Sequence, residues 1–209
     1  MTDATLAGLE VPAASATISE DGLYRYDLTR TWDAASGRLT FVMLNPSTAD
    51  ALIDDPTIRR CRAFAKREGF GGIVVLNLYA LRATNPRELD IADDPVGPSN
   101  DETIARVLAS KTRAIAAWGA HAAPARARAV TALAPHVQWQ ALGTTKAGAP
   151  RHPLYVRGDT PLEPYCSDAR DRLLIIGDMG GFVCAECGVP VESEPCREHQ
   201  PVAWAAATA

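Results

Sequence analysis

Three short polar segments carry side chains that could perform chemistry. Leu44-Asn45-Pro46-Ser47 ends an apolar stretch and is soon followed by Asp50, Asn77 ends a second apolar stretch, and His152 precedes a proline. An asparagine offers a donor and an acceptor side by side, which suits an amide or a nucleobase edge. A histidine can donate to a developing negative charge or carry a proton. These residue types predict a site for a nucleobase-like ligand.

Each of these residues also has a structural interpretation. Asn45 or Asn77 would cap a turn, Asp50 would be a solvated acid rather than a general base or metal ligand, and His152 would be a surface residue. Two asparagines at the ends of neighbouring strands favour the functional interpretation, because a buried asparagine must find hydrogen-bond partners.

The surrounding pattern predicts an α/β fold that brings these residues to one edge of a sheet. Apolar stretches predict strands over 39–44, 72–78, 113–118 and 137–142, and helices are predicted over 55–69, 99–111 and 122–133. Alternation of strands and helices predicts a three-layer sandwich around a four-stranded, mostly parallel sheet. Ligands of such sheets bind at the carboxyl ends of the strands.

Residues from the loops at this edge complete the predicted site. The catalytic candidates are Asn45, Asp50 and His152, and the substrate-binding candidates are Pro46, Ser47, Asn77, Arg82, Asn100 and Thr145. The first helix is strongly basic, with Arg59, Arg60, Arg62, Lys66 and Arg67 outside its apolar stripe. This basic face is interpreted either as a solvated surface or as a surface that contacts phosphates.

Composition divides the chain into three segments. Residues 1–20 lack periodicity and are predicted to be a mobile leader. Residues 21–165 form the α/β domain, in which 24–32 and 39–44 are expected to pair as an N-terminal β-hairpin. Residues 166–209 form a small tail.

The tail contains a pattern of soft metal ligands. Cys184-x2-Cys187 is followed after eight residues by Cys196-x2-His199. Two such pairs can bind one tetrahedral zinc ion, and a site filled by four protein ligands is structural. A short tail gains stability from a metal because it cannot bury much core. The sequence thus predicts a zinc-knuckle-like tail, with unliganded cysteines as the alternative.

Bulk properties restrict the partners of the chain. The net charge is -4 and the pI is about 5.6, so binding of nucleic acid by overall charge is not indicated, and a small nucleotide is favoured over long duplex DNA. No apolar run approaches the roughly 18 residues of a membrane span. No secretory signal is recognised at the N-terminus, so a cytoplasmic protein with no membrane partner is expected.

Seven motifs between residues 24 and 165 resemble the bacterial and phage family known as domain of unknown function 1643. They are Arg30-Thr31-Trp32, Met43 to Asp50, Asp54-Asp55-Pro56-Thr57, Asn77-Leu78-Tyr79 with Arg82-Ala83-Thr84, Asp94 to Pro98, Trp118-Gly119, and His152-Pro153-Leu154-Tyr155. The family name implies no activity, and the cysteine-rich tail lies outside the resemblance.

The layout is more distantly similar to the uracil-DNA glycosylase superfamily. Leu44-Asn45-Pro46 resembles the turn whose asparagine positions the attacking water, Asn77 resembles the asparagine that reads the base edge, and His152-Pro153 resembles the motif that stabilises the departing base. The resemblance implies an N-glycosidase that acts on a base in DNA or in a modified nucleotide. The alternative is a binding module of phage or mobile-element biology that keeps a nucleobase pocket without catalysis.

We expect the purified protein to contain about one zinc ion per chain, because the tail offers four ligands for a single tetrahedral ion. Metal content measured by mass spectrometry tests this expectation. Replacement of Cys184 and Cys187 together by serine should remove the zinc, whereas Cys61→Ala, outside the tail, should not. Wild-type protein without zinc, or a double variant that keeps it, would contradict the prediction.

Overall fold

The computed structural model describes residues 13–47 and 54–167, together with the backbone of 174–176, 182–184 and 190–191. The first seven strands are β1 (Ala14–Ile18), β2 (Arg25–Thr31), β3 (Leu39–Met43), β4 (Gly72–Asn77), β5 (Arg113–Ala116), β6 (Gln138–Ala141) and β7 (Glu163–Pro164). The helices are α1 (Pro56–Arg67), α2 (Glu88–Ile91), α3 (Asn100–Leu108), α4 (Pro124–Ala132) and a short 3₁₀ helix, Pro153–Tyr155.

The four predicted strands form the parallel centre of a wider sheet. They are adjacent in the order β4-β3-β5-β6, and every pairing among them is parallel. Three antiparallel strands extend this centre, because β2 pairs with β4, β1 with β2, and β7 with β6. The prediction of an α/β fold is confirmed, but the sheet is mixed and has seven strands rather than four.

The predicted hairpin between residues 24–32 and 39–44 is wrong. β2 pairs with β4, while β3 lies on the other side of β4, so the N-terminal hairpin is formed by β1 and β2. Gly71 allows the chain after β2 to approach the start of β4, since a Cβ at Gly71 would lie 1.8 Å from the carbonyl oxygen of Asp33. The predicted mobile leader, residues 1–20, is too long, because it includes strand β1.

Two apolar clusters place helices on opposite faces of the sheet. On one face, Phe41, Val75 and Ile115 pack against Ile58 and Phe64 of α1. On the other face, strand residues pack against α2, α3 and α4, and the members include Val42, Leu76, Ala116, Leu89, Ile104 and Val130. The chain thus forms the three layers expected of an α/β sandwich.

Helix α1 follows from its sequence. Ile58, Cys61, Phe64 and Ala65 recur at helical spacing, and all four side chains are buried. Asp55 caps the helix, since its side chain accepts a hydrogen bond of 2.7 Å from the Ile58 N–H. Cys61 lies wholly within the core, where burial raises the pKa of its thiol.

The tail contains a second small sheet. Strands β8 (Leu174–Ile176), β9 (Phe182–Cys184) and β10 (Pro190–Val191) are antiparallel in the order β10-β9-β8. The predicted zinc ligand Cys184 ends β9, but only its backbone is described, and Cys187, Cys196 and His199 lie outside the described residues. The zinc-knuckle-like tail therefore stays a prediction. Within the described part of the chain, no helix has the length and apolar character needed to cross a bilayer.

Asn100 holds the end of β4 in place. Its side chain is fully buried, and its amide nitrogen donates to the carbonyl oxygens of Asn77 (3.1 Å) and Leu78 (3.0 Å). Ser99 precedes α3, but its side chain makes no cap hydrogen bond. The buried asparagine that follows Ser99 instead joins α3 to the sheet.

We expect Asn100→Ala to lower the free energy of unfolding by about 2 kcal/mol, because it leaves two buried carbonyl groups without this donor. Denaturant unfolding followed by circular dichroism measures the change. Asn85→Ala, in an exposed turn, is the matched control and should change stability by less than about 1 kcal/mol. Equal effects of the two substitutions would contradict the proposed role of Asn100 in holding the end of β4.

Candidate functional site

Asn45 joins the turn after β3 to the loop after β4. Its amide nitrogen donates to the carbonyl oxygens of Ala83 (2.8 Å) and Pro46 (3.1 Å), and the Ala83 N–H donates back to Pro46 at 3.0 Å. Both amide hydrogens are thereby used by the backbone. The Oδ1 atom accepts no hydrogen bond within the described part of the chain, so it is the atom of Asn45 that could bind a donor such as water.

Asn77 ends β4 directly beside β3, where it pairs in register with Met43. Ile73 and Val75 pack on the α1 side of the sheet, and strand alternation places Asn77 on the same side. The side chain is only 2% exposed, and its Nδ2 has no hydrogen-bond partner in the described part of the chain. A buried amide donor without a partner is destabilising, and it marks a position where a ligand acceptor would restore the hydrogen bond.

Asp54 and Asp55 are both engaged by neighbouring groups. Asp54 bonds to Arg30 at 2.8 Å and also to Arg62. Burial raises the pKa of Asp54, but its hydrogen bonds with these two arginines outweigh burial and lower the pKa overall. Asp55 caps α1 through one oxygen and accepts a hydrogen bond of 3.2 Å from the Ser47 hydroxyl through the other. Ser47 is thereby tied to the start of α1.

His152 lies at the same edge, next to the end of β5. A Cβ at Gly119, which has a φ of +76°, would lie 3.6 Å from the Cβ of His152. Asp55 interacts electrostatically with the imidazole, which places His152 near the turn that contains Ser47. Arg60 of α1 holds the following segment by donating to the carbonyl oxygens of Pro153 and Val156. The helix thus positions the histidine loop.

The imidazole of His152 has a defined tautomer. Its Nδ1 accepts a hydrogen bond of 3.3 Å from the Leu154 N–H, so in the neutral ring the hydrogen is on Nε2. Burial lowers the pKa of His152, and the negative charge of Asp55 opposes this only partly. At pH 7 the side chain is therefore a neutral donor through Nε2, the form that can hydrogen-bond to a developing anion.

The remaining predicted residues have other surroundings. Asn100 is buried and donates to the backbone at the end of β4, and the Thr145 hydroxyl accepts a hydrogen bond of 3.2 Å from Ala149 within its own loop. Arg82 donates to the Gly22 carbonyl at 2.9 Å, and Pro46 is buried beneath the turn. Asp50 lies outside the described residues. The structure therefore brings Asn45, Ser47, Asn77 and His152 to one edge, and it gives Asn100 and Thr145 structural contacts.

Sequence reasoning missed Arg25, the first residue of β2. The pairing of β1 with β2 shifts by one residue at this end, from Thr17 opposite Asp27 to Ile18 opposite Arg25. This bulge breaks strand alternation, and both Arg25 and the next residue are buried. The guanidinium interacts electrostatically with Asp55, Arg82 and Arg30, so it faces the predicted site. The only signal in the sequence was an arginine within an aromatic strand pattern.

Burial dominates the electrostatics of Arg25. The residue is 5% exposed, its Nε has no hydrogen-bond partner, and it forms no ion pair among the described residues. Burial lowers the pKa of Arg25 to about 10, although Asp55 opposes the shift. The guanidinium therefore stays charged at pH 7, close to one carboxylate and two further arginines.

Most of the basic side chains of α1 donate hydrogen bonds to backbone carbonyl groups and do not only face solvent. Arg67 donates to the carbonyl oxygens of Gly158 (2.9 Å) and Thr160 (2.6 Å), as Arg60 does to the segment before them. Arg59 donates to the Asp54 carbonyl at 2.7 Å. Lys66 lies over the Trp32 ring. These contacts show that the helix holds the segment after His152 against the sheet.

Comparison with protein families gives a match over most of this fold. Residues 25–154, more than half of the chain, match the family described as protein of unknown function (DUF1643). The chain belongs to this family. The matched range of the DUF1643 family contains the sheet edge with Asn45, Asn77 and His152, and it excludes the cysteine-rich tail. No curated protein and no solved structure matches the chain. None of these comparisons supports the resemblance to uracil-DNA glycosylases, which stays a prediction.

We expect His152→Asn to change how stability depends on pH. Because burial lowers the folded-state pKa of His152, the unfolded chain binds the proton more readily, and wild-type stability is lost as pH falls through the ordinary histidine pKa of about 6.5. The free energy of unfolding of wild type minus that of the variant should therefore decrease between pH 7 and pH 5.

Asparagine suits this experiment because its Oδ1 can replace Nδ1 as the acceptor for the Leu154 N–H. Denaturant unfolding at several pH values measures the difference, and His121→Gln at an exposed position is the control for loss of an imidazole. A difference that grows as pH falls would contradict the assigned direction.

Proposed function

We propose that the protein recognises a nucleobase at the carboxyl edge of its sheet and hydrolyses the N-glycosidic bond of that base, in a nucleotide or in DNA. The observation that carries the proposal is a pair of donors at this edge without partners among the described residues, the buried Nδ2 of Asn77 and the Nε2 hydrogen of the half-buried His152. Donors without partners suit a ligand rich in acceptors, and nucleobases present carbonyl and ring-nitrogen acceptors.

The two asparagines would have different roles. Asn77 would donate from Nδ2 to the edge of the base. Asn45 would accept from the attacking water through Oδ1, since both of its amide hydrogens are bound to backbone carbonyls. Asp50 is the proposed general base for this water. Ser47, Pro46 and Arg82 would shape the substrate pocket around the turn.

His152 would act on the leaving group. When water adds to the sugar carbon, the bond to the base nitrogen breaks and the electron pair stays on the base. A neutral imidazole that donates from Nε2 stabilises this charge without carrying a competing positive charge of its own. The distant resemblance of the chain to the uracil-DNA glycosylase superfamily leads to the same roles for Asn45, Asn77 and His152. A structural zinc ion in the tail is part of the proposal and takes no part in this step.

A base-release assay tests the proposed reaction. Wild-type protein is incubated with a panel of nucleotides and oligonucleotides with normal and modified bases, and the freed base is measured by chromatography. We expect His152→Asn, which keeps the acceptor for Leu154 but removes the Nε2 donor, to lower kcat by roughly 100-fold. Asn77→Ala should chiefly weaken binding, and Asn85→Ala is the control. Absence of release by wild type, or release unchanged in His152→Asn, would refute the reaction.

The second candidate is a nucleotide-binding module without catalysis. It is favoured by the state of the acidic side chains, because Asp54 is paired with two arginines and Asp55 is bound by the helix start and by Ser47. Neither of these carboxylates is available to deprotonate water. Calorimetric binding of a nucleotide that is recovered intact after long incubation would select this function over hydrolysis.

A further inference from the structure

Arg25 is a buried cation without an ion-pair partner among the described residues. Its side chain is more than nine-tenths buried, Nε has no hydrogen bond, and no carboxylate among the described residues lies within ion-pair distance. A buried arginine that serves only the fold is normally paired, because an unpaired buried charge is strongly destabilising. The guanidinium therefore needs another explanation.

The position of Arg25 connects it to the candidate site. Its backbone N–H donates to the carbonyl oxygen of Ala80 at 2.9 Å, which places the residue beside the loop that follows Asn77. By simple alternation, the side chain of Arg25 would lie on the face of β2 opposite Leu28 and Arg30. The bulge in β2 breaks this alternation. Bulges that re-aim one side chain are frequent next to ligand sites.

The charges around Arg25 favour an anion. Arg30 and Arg82 repel its guanidinium and Asp55 attracts it, and when Asp54, which is bonded to Arg30, is included, this group of described residues carries one positive charge in excess. A phosphate monoester carries a charge of about -1.5 to -2 at pH 7. Arginine also matches the oxygens of phosphate with its fork of donors.

We propose that Arg25 binds the phosphate of the ligand, and that this phosphate is a terminal monoester, so that the substrate class is a mononucleotide rather than DNA. The second part rests on the proposed function, because it assumes that the same ligand presents its base to Asn77. The chain of a phosphodiester must continue in both directions from the phosphate, which the burial of Arg25, a residue that is only 5% exposed, does not favour.

The first test uses inorganic phosphate as the probe at constant ionic strength. We expect phosphate to raise the Tm of the wild-type protein, since a ligand that binds only the folded state stabilises it. Arg25→Met should abolish this increase, and Arg25→Lys should reduce it. Arg87→Met, which removes a positive charge at an exposed position, is the matched control and should keep it.

Stability without phosphate gives an independent readout. Arg25→Met removes an unpaired buried charge, so we expect the Tm of the unliganded variant to rise by about 2–4 °C. If Arg25 only stabilised the fold, Arg25→Met would lower the Tm instead of raising it. A variant that is less stable than wild type, or a phosphate-dependent Tm increase that persists in Arg25→Met, would overturn the proposal, as would the absence of any such increase in wild type.

The second test separates the substrate classes by calorimetry. Nucleoside 5′-monophosphates should bind wild type roughly 10- to 100-fold more tightly than the matching nucleosides, and Arg25→Met should remove this difference. An oligonucleotide without a terminal phosphate that binds as tightly, and with the same dependence on Arg25, would overturn the assignment of a mononucleotide.

The outcomes also separate this inference from the proposed reaction. If phosphate binding depends on Arg25 but no base is released from any substrate, the glycosidase proposal fails and the phosphate site stands. If base release proceeds unchanged in Arg25→Met, the phosphate site fails and the glycosidase proposal stands.

Discussion

The attachment of α1 to the sheet is the constraint on which the rest of the site depends. Asp55 caps the helix, and Asp54 joins its first turn to Arg30 of the buried strand β2. With its start fixed in this way, α1 presents Arg60 to the carbonyl groups that follow His152. The histidine is therefore held at the carboxyl edge by a helix far from it in sequence, and the turn that contains Ser47 is held by Asp55.

Buried polar groups at this edge are satisfied unevenly. The carbonyl groups at the end of β4 receive hydrogen bonds from Asn100 and Arg126. In contrast, the amide nitrogen of Asn77 and the Nε of Arg25 have no partner among the described residues, and neither has the Oδ1 of Asn100. The carbonyl groups at the strand end are thus satisfied, whereas the donors of Asn77 and Arg25 could bind a ligand. Such unsatisfied groups lower stability and are typical of functional positions.

Much of the fold was predictable because it follows from periodicity. The four parallel strands and helices α1, α3 and α4 lie where apolar patterns placed them. The partner of β2 was predicted wrongly, because alternation shows that a segment is a strand but carries no information on which strand it pairs with. The width of the sheet was missed for the same reason, since β1 and β7 are short edge strands with weak patterns and gain their place by pairing.

Local sequence by itself determined the buried face of α1, its cap at Asp55, and the placement of Asn45 and Asn77 at the ends of apolar strands, because each depends on residues only a few positions apart. Tertiary structure alone decided which of these polar groups remain without partners. The bulge that turns Arg25 toward the site arises from pairing with β1. The restraint of the histidine loop comes from Arg60, which binds a carbonyl 96 residues away. Such contacts depend on how distant segments pack, and no local pattern encodes them.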